Sequence, residues 1–308
     1  MFFKNHFKYE IKNLVLSFLF PLWPIKVFRN VHTMALLGMM IALRIVLQFF
    51  SVYIPTVNLS ISLGWMPIII IGWIFGPVFG FITGAITDTI TFFIKPGVWF
   101  WMYAIQEPIV GLMSGIFSFI YLIRKNNIKN NKRKGILDIC ILEIIIISFS
   151  AICFFSIHKL FEGSSFEGQT SKLEGFFIEQ SKYIVTVCLI TFFLIVQLAI
   201  YLTYKKMRNS FISNIWIICM VCMYSIIFSF ILGPIVSNEY YKYLYNKDSP
   251  NFIKYGAIFY LIPRTIKESI KCPIQITLLA MLIPLCENRL KEIKSQLQIK
   301  WKNANKIY

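Results

Sequence analysis

Histidine is nearly absent, and charged residues of any kind are few. Only His6, His32 and His158 occur in 308 residues, and all three lie at or beyond the ends of apolar runs. No His-Glu-x-x-His pair exists, so a zinc-hydrolase helix is excluded. Asp88 has no second aspartate at its own depth in a neighbouring apolar run. An intramembrane protease or lipid-modifying transferase would therefore lack its chemistry. No glycine-rich Walker A loop ending in Lys and Ser or Thr occurs, so the chain has no ATPase site of its own. Short alternating strands are missing too, which excludes a membrane β-barrel.

What is present is apolar: 57% of the chain, with 17% aromatic and only 15% charged. The runs 184–204 and 211–237 carry no Asp, Glu, Lys, Arg or His, and each is long enough to cross a hydrocarbon core of about 30 Å. The class is all-α and polytopic. The formal charge of +17 sits in short linkers, at 124–134, at 205–208, in the first thirty residues and from Arg289 onward. That is the positive-inside pattern of a membrane protein rather than a nucleic-acid surface. Seven cysteines are scattered through apolar runs. Cys219 and Cys222 share a helix face, but nothing completes a metal site, and they read as core filler.

About eight spans are expected, with both termini cytoplasmic. An amphipathic segment, 1–30, precedes the first span at 31–50. A charge-free, turn-rich loop (51–62) follows. Residues 63–94 are too long for one helix, and Gly76-Pro77 divides them into two spans joined by a tight turn. An aromatic loop, 95–103, leads into a fourth span ending near Ile123. Two more spans, 136–157 and 184–204, form a hairpin within 125–210. The last two spans lie within 211–290, and 291–308 is a basic cytoplasmic tail.

Ionisable residues inside spans are costly and mark function or pairing. At ~1.5 Å per helical residue, Arg44, Asp88, Glu107, Arg264 and Lys267 all fall in the same outer half of the bilayer. They come from four different spans. Pairing alone would join Arg44 to Asp88 and Glu107 to Arg264. Against pairing alone, Arg264, Lys267 and Lys271 recur at i, i+3 and i+7 and make one basic stripe, as an anion-binding cavity requires. Glu268 moderates that stripe if it points the same way. Trp99, Trp101 and Tyr103 are expected either as an interfacial belt or as stacking groups over a flat ligand. Ala35, Gly38 and Ala42 form a small-residue face that allows close helix approach in lipid.

These residues stand in an order that resembles a known family. "MALLGMMIALRIVLQFF", "LGWMPIIIIGWIFGPVFGFITGAITDTI" and "IKPGVWFWMYAIQEPIVGLMSGIF" are similar to helices 1–4 of the substrate-binding S components of energy-coupling factor (ECF) vitamin transporters. "RTIKESIKCPIQI" is similar to the last-helix pattern of the folate subfamily, with Arg264, Lys267 and a following Pro-Ile. The resemblance covers about 33–124 and 256–290. It implies a six-helix core, to which 125–210 adds a hairpin. It also implies a non-catalytic bacterial membrane subunit that needs no cofactor or metal and binds a vitamin, folate first. Its partners would be one ECF transmembrane subunit and two ECF ATPase subunits, which hydrolyse the ATP. Substrate contacts would fall to Arg44, Asp88, Trp99, Trp101, Tyr103, Glu107, Arg264 and Lys267, and docking to Ala35, Gly38 and Ala42. Another flat or anionic vitamin, or a self-sufficient secondary transporter, remains open as an alternative.

Overall fold

The computed structural model describes residues 31–54, 59–94, 98–130, 211–255 and 258–304, with scattered positions between 140 and 201. The N-terminal segment, residues 95–97 of the aromatic loop, the end of the tail and most of the expected hairpin lie outside the described residues. The scattered positions, from Cys140 to Tyr201, are helical.

The elements in chain order are α1 (Val31–Phe49), a hairpin of β1 (Val52–Ile54) and β2 (Leu59–Ile61), α2 (Trp65–Phe75), α3 (Pro77–Ile94), the one-turn α4 (Trp101–Ala104) and α5 (Gln106–Asn130). After the hairpin region come α6 (Phe211–Tyr224), a π-helical segment (Ser225–Ile231), α7 (Leu232–Tyr245), α8 (Pro250–Tyr255) and α9 (Ile258–Ala304). Four helical stretches are long and apolar enough to cross a membrane: Pro77–Ile94, Trp101–Arg124, Asn214–Tyr245 and Pro263–Arg289. The architecture is that of a helical, polytopic membrane protein. Its one small sheet is antiparallel, pairing Val52 with Ile61 and Ile54 with Leu59. It occupies the stretch that the sequence suggested was a loop.

The chain forms two compact units. The first is built from Met1–Phe50, Leu63–Arg124 and Leu278–Tyr308. In it α1 buries Thr33, Leu37, Met40 and Arg44, a spacing of four, three and four that marks one helix face. Helix α2 is buried from Met66 to Phe75. With 11 residues it is about 16 Å long, too short for the full span expected at 63–75. Gly76 ends it with φ of 100°, a conformation that suits glycine. Pro77 then opens α3, where its missing N–H costs nothing.

Helix α5 packs on α2 and α3 through small residues. Ser114 Oγ donates to the Ile69 carbonyl and Ser118 Oγ to the Trp73 carbonyl, each at 2.6 Å. A Cβ at Gly80 would overlap the backbone of Gly111, and one at Gly111 would overlap Gly80. A Cβ at Gly84 would lie 2.7 Å from the Glu107 carbonyl oxygen. Close backbone approach of this kind is how helices associate in lipid, where no hydrophobic effect drives them together. Gly111→Ala is therefore expected to destabilise the protein by about 1–3 kcal/mol, the range for overpacking. Gly38→Ala on α1 meets nothing within 4 Å and serves as the control. Equal melting temperatures for the two variants in detergent would sink this account.

The second unit holds Ser51–Ser62 and Lys125–Thr277. Here α6, the π segment and α7 run on without a break from Phe211 to Tyr245, nine residues beyond the expected end at Val236. The π segment has a local cause. Pro234 has no N–H to give and its ring would press on the carbonyl of residue 230 in a regular α-helix. One step before it, the Leu232 N–H reaches five residues back to the Ile227 carbonyl, which is the π pattern. Helix α9 has 47 residues and continues to Ala304, past the tail boundary expected at 290. No Gly or Pro interrupts 285–304, so nothing there ends it.

Candidate functional site

In the first unit, α1 brings Arg44 to Glu107 at the start of α5. Both residues are buried, at 4% and 5% exposure. Arg44 Nη2 donates to Glu107 Oε1, and Nε donates to Oε2 at 3.3 Å. This is the two-pronged geometry that a guanidinium offers a carboxylate. Thr87 Oγ1 on α3 adds a third donor to Glu107 Oε2 at 3.2 Å, and Arg44 Nη1 donates to Gln48 Oε1 at 2.9 Å. The guanidinium also lies against Gly64, where a Cβ would come 2.8 Å from Nη1. Three helices and the turn before α2 thus converge on one buried charge pair.

That pairing differs from the one the sequence suggested. Arg44 takes Glu107 rather than Asp88. Asp88 sits partly buried on α3, within electrostatic reach of both members of the pair. The reason is a matter of faces: Thr87, one position earlier, occupies the buried side of α3 and points its hydroxyl at Glu107. Thr87 and Gln48 were not singled out from sequence, because an uncharged side chain in a span gives no signal.

The aromatic loop divides in a way its composition hides. Trp99 and Trp101 are more than half exposed and Tyr103 is exposed. Phe100 is the buried member, set edge-on to the Tyr103 ring at 5.8 Å between centroids.

In the second unit, α9 carries the basic stripe against the π segment and α7. Arg264 Nη2 donates to Ser237 Oγ at 2.6 Å, and its guanidinium rests on Gly233, which has no side chain to obstruct it. Lys267 is partly buried and forms no ion pair among the described residues. Glu268 does point inward. It is 1% exposed, with Lys271 Nζ 3.6 Å from its Oε1 and the Cys272 thiol donating to its Oε2 at 3.4 Å. Ser225 Oγ lies 3.1 Å from Cys272 Sγ, and Lys271 Nζ sits over the Tyr224 ring at 5.9 Å. The stripe is therefore two things: Glu268 and Lys271 form a buried pair, while Arg264 and Lys267 face other groups.

The docking candidates Ala35, Gly38 and Ala42 are all exposed, on the side of α1 opposite its buried residues. Among the described residues no cluster of His, Cys, Asp and Glu is placed to hold a metal ion.

Comparison with known proteins gives three findings. Residues 28–206 match the family described as "ECF-type riboflavin transporter, S component". The chain is 30% identical over 290 residues to the Mycoplasma pneumoniae protein described as "Uncharacterized protein MG313 homolog", covering 92% of this chain and 100% of that one. It is likewise 30% identical over 289 residues to "Uncharacterized protein MG313" of Mycoplasma genitalium, with the same coverage. No solved structure matches it.

Proposed function

Because the chain belongs to the ECF-type riboflavin transporter S-component family, we propose that it is the vitamin-capturing subunit of an ATP-driven importer in a bacterial cell membrane. The observation that carries this reading is the split of α1. Its buried face ends in Arg44 and anchors the unit, while Ala35, Gly38 and Ala42 stay exposed as a smooth outer face. A membrane subunit complete in itself has little use for a stripe of small residues turned outward. One that docks on a partner helix in lipid needs such a stripe.

The partners are an ECF transmembrane subunit and two ATPase subunits, which hydrolyse the ATP. This chain contributes binding alone and needs no cofactor. Both termini are cytoplasmic. The ligand is a flat vitamin; riboflavin is favoured by the family's description. Folate is the second reading, favoured by Arg264 and Lys267, whose two cations suit its two carboxylates. Proposed contacts in the first unit are Asp88, Trp99, Trp101 and Tyr103 around the Arg44–Glu107 pair. In the second unit they are Arg264 and Lys267.

Mass spectrometry of the small molecule retained by the solitary purified subunit, without any ion gradient, tests the capture role and names the vitamin. A subunit that retains nothing, and binds neither riboflavin nor folate when offered them, ends this reading. If a ring stacks on the exposed loop aromatics, Trp99→Ala or Trp101→Ala weakens binding by about 1–3 kcal/mol. Calorimetric titration with unchanged affinity for both variants leaves them as interfacial anchors.

A further inference from the structure

The contact between α9 and the π-containing helix is a buried polar seam that is only partly satisfied. Gln275 is 0% exposed, yet neither its amide nitrogen nor its oxygen has a hydrogen-bond partner among the described residues. Ser229, 5% exposed, leaves its hydroxyl in the same state. Such groups are rare in folded proteins, and each asks for something that fills it.

Their positions follow from the helix register. Ser225 meets Cys272, and Gly233 meets Arg264, eight residues on in one helix and eight back in the other. The same antiparallel step sets Ser229 opposite Glu268 and Gln275 opposite Cys222. On α9 itself, Gln275 follows Lys271 by four residues and Glu268 by seven, so the three share a face. The two unfilled side chains thus bracket the Glu268–Lys271 pair along ~10 Å of helix. That pair is itself loose: 3.6 Å from nitrogen to oxygen exceeds the 2.7–2.9 Å or so of a tight charge-assisted hydrogen bond. A polar network this deep, with loose contacts inside and orphans at both ends, is arranged to receive a further polar group.

The chemistry of Gln275 says which kind. A carboxamide presents a donor and an acceptor side by side in one plane. Its complement is a cis-amide edge, an N–H beside a C=O, as in the lactam of a pyrimidine-type ring. We infer that Gln275 reads the lactam edge of the vitamin's ring and sets specificity for it, with ligand entry parting the seam. This inference rests on the vitamin-binding reading above. It does not depend on which vitamin binds, because riboflavin and folate both carry a ring N3–H next to a C4 carbonyl.

The test uses four probes on the purified full-length chain: riboflavin, folate, and the N3-methylated form of each. Methylation removes the ring donor and adds bulk where Gln275 is placed to accept. The wild type is expected to prefer the vitamin it binds over its methylated form by about tenfold or more, the scale on which an unfilled hydrogen-bonding site rejects an analogue. Gln275→Met, similar in shape, should bring that preference to within about threefold, by the loss of this same reader. Gln275→Glu, which keeps the acceptor and loses the donor, supplies a second variant should the first fail to fold, and an intermediate preference is expected. A preference undiminished in the variants, with Gln275→Met simply melting higher, would overturn the inference and leave Gln275 as a packing defect. A wild type that binds none of the four probes would instead remove the reading beneath it, so the two failures are distinct.

Discussion

Arg44→Met is expected to cost about 3–5 kcal/mol of stability, the penalty for leaving one half of a buried ion pair without the other. Glu107 would keep only the Thr87 hydroxyl, 3.2 Å from Oε2, and its charge has no route to water at 5% exposure. The loss should fall on the subunit with or without ligand, as a lowered melting temperature in detergent. Arg44→Lys should recover only part of it, since an ammonium supplies one directed contact where the guanidinium supplies several, to Glu107 and to Gln48. The double change Arg44→Met with Glu107→Gln should recover most, because a neutral amide can be held by Thr87 at far lower desolvation cost. If the double variant melts no higher than Arg44→Met, the pair is not what holds α1 to α5.

The second large effect concerns transport rather than stability. Gly38→Trp together with Ala42→Trp is expected to abolish uptake in cells that carry the whole importer. The isolated subunit should keep its ligand affinity and its melting temperature. The separation follows from α1: the substituted positions are exposed, and a side chain grown from Gly38 meets open space. Bulk there is harmless to the subunit but holds an approaching helix away. Copurification with the partner subunits provides the second readout and should fail in step with uptake. Uptake that survives both tryptophans would place the docking face elsewhere.

Much of the helical frame could be read from residue order alone. The Gly76-Pro77 break was visible because one residue tolerates positive φ and the next suits a helix start. The ionisable positions in spans were visible because lipid makes each of them conspicuous. What escaped was the use of the uncharged small residues. Gly72, Gly76, Gly80 and Gly84 recur every fourth residue, with Gly111 and Gly115 repeating the spacing. In sequence they read as punctuation, whereas most of them line the contact with α5. The pairing of Arg44 was hidden for a related reason. Depth along a helix can be counted from sequence, but the facing of Asp88 and Thr87, one residue apart, depends on rotation that packing decides. Gln275 gave no signal at all, since an amide in a span becomes informative only once its neighbours are known to leave it unfilled.

The π-helical segment has a consequence for insertions and deletions. A π turn is an α-helix accommodating a residue too many, so removing one residue from Ser225–Ile231 would regularise the helix. Everything beyond would then turn by ~100°, the angle of one helical residue. Gly233 and Ser237 would swing away from Arg264, which would lose both the space it rests in and the hydroxyl it donates to. Pro234, no longer preceded by a widened turn, would press on the carbonyl behind it. In this stretch a change of length is a change of facing, and alignment gaps here carry structural meaning that gaps in a regular helix end do not.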